Sequence, residues 1–123
     1  MKKEEEIKKP TESSLQNQIF IWYNNTYCLK SNNPRALILS IPNGGTRNVR
    51  EAMTLKATGL LAGASDLIII LPNGKLCFIE LKLPKGIQSD VQKDFECRVS
   101  NLGFEYRIIR SLEEFKNFIT NNQ

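Results

Sequence analysis

The chain has 123 residues, 41% hydrophobic and 24% charged, enough for one ordinary globular core and not for two. It contains no histidine, which removes imidazole acid–base chemistry, Ser-His and Cys-His nucleophile pairs and histidine metal ligands. A net charge of +4 leans mildly toward a polyanionic partner, no apolar run reaches the roughly 18–20 residues of a membrane span, and the charged start lacks the apolar core of a signal peptide, so a cytoplasmic location is expected.

Residues 1–10 read as a flexible tail and residues 11–123 as a single domain. Thr11 caps a predicted helix from Glu12 to Tyr27, with Leu15, Ile19, Trp22 and Tyr23 on one face. Glu12 lies in its first turn, where the helix dipole favours an acid, and shares a face with Gln16. Ser31-Asn32-Asn33-Pro34 closes this region. Leu37 to Ile41 reads as a short buried strand, and Pro42 to Arg47 as a flexible turn. Val49 to Thr58 is expected to be helical, stopped by Gly59. Arg47, Arg50 and Lys56 make this segment basic. That pattern fits either a solvated helix face or a phosphate-contacting edge with the amides of Gly44 and Gly45.

Gly59 to Ser65 is a small-residue approach in which two glycines allow another backbone or a substrate to pass closely. Two apolar runs follow, 67–71 and 76–79, joined at Pro72-Asn73-Gly74 and ending in Glu80-Leu81-Lys82. Leu83 to Gly86 is a loop carrying Lys85. Ser89 and Gln92 form a capping box for a helix to about Asn101, with Val91, Phe95, Val99 and Leu102 expected to face the core. Phe104 to Ile109 is a strand with Phe104, Tyr106 and Ile108 on its apolar face. Ser111 caps a last helix, 112–121, that turns Leu112, Phe115, Phe118 and Ile119 inward. The three cysteines, Cys28, Cys77 and Cys97, are widely spaced and read as small apolar residues. The expected fold is α/β: a mixed sheet of about four strands flanked by helices, in the order αβ(α)ββαβα, with an antiparallel hairpin and a parallel neighbour reached through the 88–103 crossover.

The hairpin loop decides which charges meet. Glu80 and Lys82 are two apart and project from one face of their strand, with Leu81 on the other. A two-residue Asn-Gly loop would set Asp66 opposite Leu81. A three-residue Pro-Asn-Gly loop, a type I turn followed by a left-handed glycine, pairs Leu71 with Lys75 and therefore Asp66 with Glu80. The three-residue loop is the one expected here. Two carboxylates then converge with an ammonium beside them, a cradle suited to Mg²⁺ and a scissile phosphate. Taken alone, so short a pattern is more simply a buried ion pair at a sheet end.

The pattern does not stand alone. Glu12 to Gln16, Pro42 to Arg47, Leu55 to Gly59, Gly63-Ala64-Ser65-Asp66-Leu67, Phe78 to Lys82, Gln88 to Gln92 and Gly103 to Tyr106 together resemble the virus-type replication-repair nuclease (VRR-NUC) family of the PD-(D/E)XK superfamily. The resemblance runs from Glu12 over nearly the whole chain. It departs at Ala64-Ser65, where Val or Thr and Pro often precede the aspartate; these residues shape backbone and supply no ligand. The resemblance implies a restriction-endonuclease-like core with Asp66, Glu80 and the Leu81 carbonyl as ligands for Mg²⁺ or Mn²⁺. It makes Lys82 the catalytic lysine, brings Glu12 to the metal directly or through water, and has Gln92 support the site. Asn43, Gly44, Arg47, Arg50, Lys56 and Lys85 are the expected DNA contacts. The implied activity is structure-selective DNA cleavage, in branched DNA such as Holliday junctions, by a homodimer of phage or bacterial origin. A flap- or nick-directed nuclease, a non-catalytic DNA-binding module and an interaction domain without a nucleic-acid role are the alternatives.

Overall fold

The computed structural model describes residues 9–42 and 48–123. Eight elements follow one another: α1 (Glu12–Tyr27), β1 (Leu37–Ser40), α2 (Val49–Ala57), β2 (Leu67–Ile70), β3 (Leu76–Leu81), α3 (Asp90–Asn101), β4 (Glu105–Ile109) and α4 (Leu112–Asn121). The strands form one sheet in the order β1-β2-β3-β4. The pairs β1/β2 and β2/β3 are antiparallel and β3/β4 is parallel, so α3 is the crossover that a parallel neighbour demands. The α/β class and mixed sheet are as the sequence indicates.

The helix starts follow from capping chemistry. Thr11 accepts from the Ser14 amide, Asn48 from Glu51, Ser89 from Gln92 and Ser111 from Glu114, each satisfying one of the first-turn amides that a helix leaves open. In α3 the box is closed: the Ser89 N–H donates to Gln92 Oε1 at 2.9 Å. The hairpin has the three-residue loop. The Leu71 N–H donates to Lys75 O at 2.9 Å, the Gly74 N–H to Leu71 O at 2.8 Å, and Gly74 takes φ 86°, a conformation that a side chain would strain.

The two faces of the sheet are filled differently. Alternation sends Leu67, Ile69, Ile79 and Leu81 to one face, where they join Leu15, Ile19 and Tyr23 of α1 and Phe115, Phe118 and Ile119 of α4. Phe115 sits edge-on to Trp22 and Tyr23 at 5.8 and 5.9 Å, the geometry that ring quadrupoles favour. The opposite face carries a smaller cluster of Ala64, Phe95, Val99 and Tyr106, with Phe78 packed against it.

Four expectations need correction. β1 is the sheet edge, not a buried strand: Leu37 and Leu39 are 56% and 44% exposed, because only β2 pairs with it and, among the described residues, no element covers the face that carries these two leucines. In α3, Phe95 and Val99 are buried but Val91 and Leu102 are exposed, since the smaller cluster reaches only the middle of that helix. Along β4, Phe104 stays exposed while Tyr106 and Ile109 are buried; Ile109 turns instead toward the larger core. Cys97 is exposed, unlike Cys28 and Cys77. The tail residues 1–8 and the segment 43–47 lie outside the described residues.

Candidate active site

The charged cluster is built where β2 begins and β3 ends. Leu67 pairs with Ile79, so one step outward Asp66 stands opposite Glu80, the register that the three-residue loop dictates. Asp66 is fixed from two sides: its carbonyl accepts from the Ile41 N–H at 2.8 Å, and Oδ2 accepts from the Leu81 N–H at 2.8 Å. Just before it, buried Ser65 donates from Oγ to Leu67 O at 3.2 Å.

Glu80 is 2% exposed. Its Oε1 accepts from Gln92 Nε2 at 3.1 Å, while Oε2 is buried without a hydrogen-bond partner. Burial first, then the charge of Asp66 and a shared-proton contact with it, push the Glu80 carboxyl from 4.5 up to about 8; Lys82 opposes the shift and Glu12 adds to it. Two ionised carboxylates so close, one of them out of water, repel each other. While both are ionised neither can donate and Oε2 has no partner; once Glu80 holds a proton, Asp66 can share it. A buried acceptor without a partner costs free energy, and this arrangement is relieved by a proton or a cation.

Gln92 serves two structures at once. Its Oε1 closes the α3 capping box and its Nε2 holds Glu80, so the start of α3 is registered on the carboxylate. The approach loop is registered on the same helix start. Gly63 has φ 83°, and a Cβ built there would fall 2.2 Å from Val91 O, an impossible contact. Here the close passage expected of a glycine is passage of backbone.

Glu12 is exposed at the α1 start and contributes to the field at Glu80. Among the described residues, no group of three or more His, Cys, Asp or Glu is placed to hold a metal. The protein oxygens available are thus a carboxylate pair and nearby main chain, with Glu12 at the periphery. Lys82 is partly buried and acts on Glu80 through its charge. Arg50 and Lys56 are exposed on α2, which buries none of its residues, and Lys85 is exposed in the loop after Lys82; no hydrogen bond or ion pair ties these three to the carboxylates. Asn43, Gly44 and Arg47 lie outside the described residues.

Arg110 is a residue that local patterns do not single out. From Nη1 it donates to Leu83 O at 2.8 Å, Gly86 O at 2.7 Å and, more weakly, Pro84 O at 3.4 Å. The parallel register contains the clue: Glu80 pairs with Ile108 and Leu81 with Ile109, so Arg110 comes next to Lys82.

The model of the VRR-NUC domain matches residues 2–113. The chain belongs to the VRR-NUC family. Among solved structures, one described as a VRR_NUC domain protein is similar at 20% identity and a TM-score of 0.72, covering 94% of this chain and 89% of that one. A second, described as a VRR_NUC domain, is similar at 18% identity and a TM-score of 0.62, covering 91% and 97%. No curated protein matches the sequence. The VRR-NUC family is a family of nucleases, and the α/β sheet with its flanking helices is the fold of these neighbours. No helix among the described residues is long and apolar enough to cross a membrane.

Proposed function

We propose that this VRR-NUC chain is a Mg²⁺- or Mn²⁺-dependent DNA endonuclease that hydrolyses phosphodiester bonds, acting on branched DNA such as four-way junctions as an intracellular homodimer. The observation that carries the reading is Glu80: a carboxylate almost fully out of water, facing Asp66, with one oxygen unpartnered. Such a pair is relieved by a shared proton or by a cation held between the carboxylates, and the second is the relief that a metal-dependent nuclease site would use.

The donor set fits a hard divalent cation. Asp66 and Glu80 offer carboxylate oxygens, the Leu81 carbonyl is the proposed third ligand, and few protein ligands suffice because Mg²⁺ keeps several waters. Bound there, the ion would polarise the scissile phosphate and lower the pKa of the attacking water. The protein's own groups do the rest. Leu81 N–H holds Asp66 in place, and Gln92 Nε2 fixes Glu80 Oε1. Lys82, on the Glu80 face of β3, orients the attacking water and stabilises charge developing on the phosphate. Glu12 reaches the site from the α1 start through water. Arg50, Lys56 and Lys85, with Asn43, Gly44 and Arg47, contact the DNA backbone and set its position.

The test is cleavage of a labelled four-way junction, a flap and a linear duplex, with Mg²⁺, Mn²⁺ or chelator. Cleavage only with metal, fastest on the junction and lost in Asp66→Ala and Glu80→Ala, is the expected result. Variants that cut as well as the parent would sink the site, and preference for the flap would change the substrate. Metal-independent binding without cleavage would leave a DNA-binding module.

A further inference from the structure

The turn that follows Lys82 is built with more care than a connection between β3 and α3 requires. It is closed by its own bond, from the Gly86 N–H to Leu83 O at 2.8 Å. Folded this way, Gly86 lies over the lysine: a Cβ added to Gly86 would sit 3.4 Å from Lys82 Cδ and 3.3 Å from Leu83 O. The bare face of the glycine therefore looks onto the aliphatic stem that carries the ammonium, with room for no more than a methyl group between them. Arg110 then binds the carbonyls of the closed turn from outside.

We propose that Arg110 is a positioning residue for Lys82, holding the 83–86 turn against the lysine stem so that the ammonium is presented beside the two carboxylates. The inference rests on the nuclease reading, in which Lys82 acts on the reacting phosphate. Three observations support it. First, the turn needs no arginine to form, so the two short bonds from Nη1 set where it sits and not whether it exists. One Nη1 carries only two hydrogens, and the two short contacts, to Leu83 and Gly86, use both. Second, Arg110 is itself anchored. It follows β4, its backbone N–H points to Glu114 Oε2 at 3.4 Å, and the neighbouring Ile109 carbonyl accepts from the Lys82 N–H at 3.1 Å. The clamp thus ties the lysine's own turn to the start of α4. Third, among the described residues Arg110 makes no ion pair with a carboxylate; its cation is met by the carbonyl dipoles of the turn, all reached from Nη1.

The experiment measures kcat and KM for metal-supported cleavage in Arg110→Ala, Arg110→Lys and Gly86→Val, with thermal unfolding to confirm the fold. Misplacement of a catalytic group by a fraction of an ångström predicts a kcat lowered about 10- to 100-fold in Arg110→Ala with KM little changed. Arg110→Lys should fall between, and free guanidinium should restore part of the Arg110→Ala rate. In a Lys82→Ala background the Arg110→Ala change should cost nothing further, because residues that act through one another are not additive. Gly86→Val keeps Arg110 and brings branched methyl groups onto the stem, past the van der Waals contact that a Cβ alone would make, so it should show the same loss of kcat even if Arg110→Ala does not fold. In the DNA-free protein, the Lys82 side-chain ammonium resonance should shift and broaden in both variants. An equal cost of Arg110→Ala with and without Lys82, or an unmoved Lys82 resonance, overturns the clamp. A parent protein that cuts no DNA overturns the nuclease reading instead, and the Lys82 resonance then decides the clamp by itself.

Discussion

The two faces of the sheet carry opposite kinds of free energy. On the α1/α4 face Leu67, Ile69, Ile79 and Leu81 meet Tyr23, Phe115 and Ile119 with almost no solvent and, among the described residues, no buried charged group. Each large side chain there contributes about 1.5–3 kcal/mol by leaving water. On the α3 face the buried apolar set is four residues, and the same strand β3 that sends Ile79 and Leu81 into the first core sends Glu80 toward the second. One face accumulates stability; the other holds a carboxylate that would be less costly protonated. A site of this kind is tolerable only because the backbone under it is fixed by the other side.

That division can be broken from either direction. The largest effect is expected at the charged face on activity alone. Glu80→Gln keeps the shape and the Gln92 bond but removes the charge. DNA cleavage should drop by about three orders of magnitude, since metal-type stabilisation of the reacting phosphate is several kcal/mol, while the melting temperature at pH 8 does not fall. A kinetic assay beside a thermal melt checks both halves. The next effect belongs to the apolar face: Phe115→Ala should cost about 3–5 kcal/mol of folding stability by transfer and cavity terms together, read from urea unfolding.

A third test uses pH. The Glu80 carboxyl titrates near 8 in the fold against 4.5 unfolded, so the native state binds the extra proton. Its favourable contribution is complete below pH 4.5, is lost as pH rises toward 8 and is then constant. Metal-free parent protein should accordingly lose on the order of a few kcal/mol across that window relative to Glu80→Gln. Parallel stability curves for the two proteins would contradict it. Gly63→Ala comes next: a methyl group against the Val91 carbonyl pushes α3 from the Asp66 loop, and a loss of about 1–3 kcal/mol should accompany slower cleavage. The smallest effect is expected on α2, where Met53 is exposed and nothing is buried; Met53→Ser should stay within about ±0.5 kcal/mol.

What could be read in advance was local or was forced by parity. Thr11, Ser89 and Ser111 announce helix starts because capping depends on a few consecutive residues. The pairing of Asp66 with Glu80 could be deduced since Pro72-Asn73-Gly74 fixes a turn and every later pair follows from it. The misjudged positions all depended on distant partners. Leu37 and Leu39 look like core until the sheet order leaves β1 at the edge, and Val91 and Leu102 have the right helical phase but nothing to pack on. Gln92 has a sufficient local explanation as a cap; only the family resemblance points it to the site, and its bond to Glu80 depends on how α3 packs on the sheet. Arg110 has no local pattern at all; only the parallel register sets it beside Lys82.

The amide of Gln92 also specifies its own residue type. At one end the α3 start needs an acceptor, and at the other Glu80 needs a donor. Glutamate could accept at the cap but would add a third acceptor beside Glu80 and Asp66. Asparagine has both atoms on a stem one methylene shorter, and lysine has no acceptor. Rotating the amide by half a turn would break both bonds together, so helix start and carboxylate orientation switch as one unit. Gln92→Glu should therefore leave α3 helical by circular dichroism while raising the pH at which the carboxylate cluster ionises.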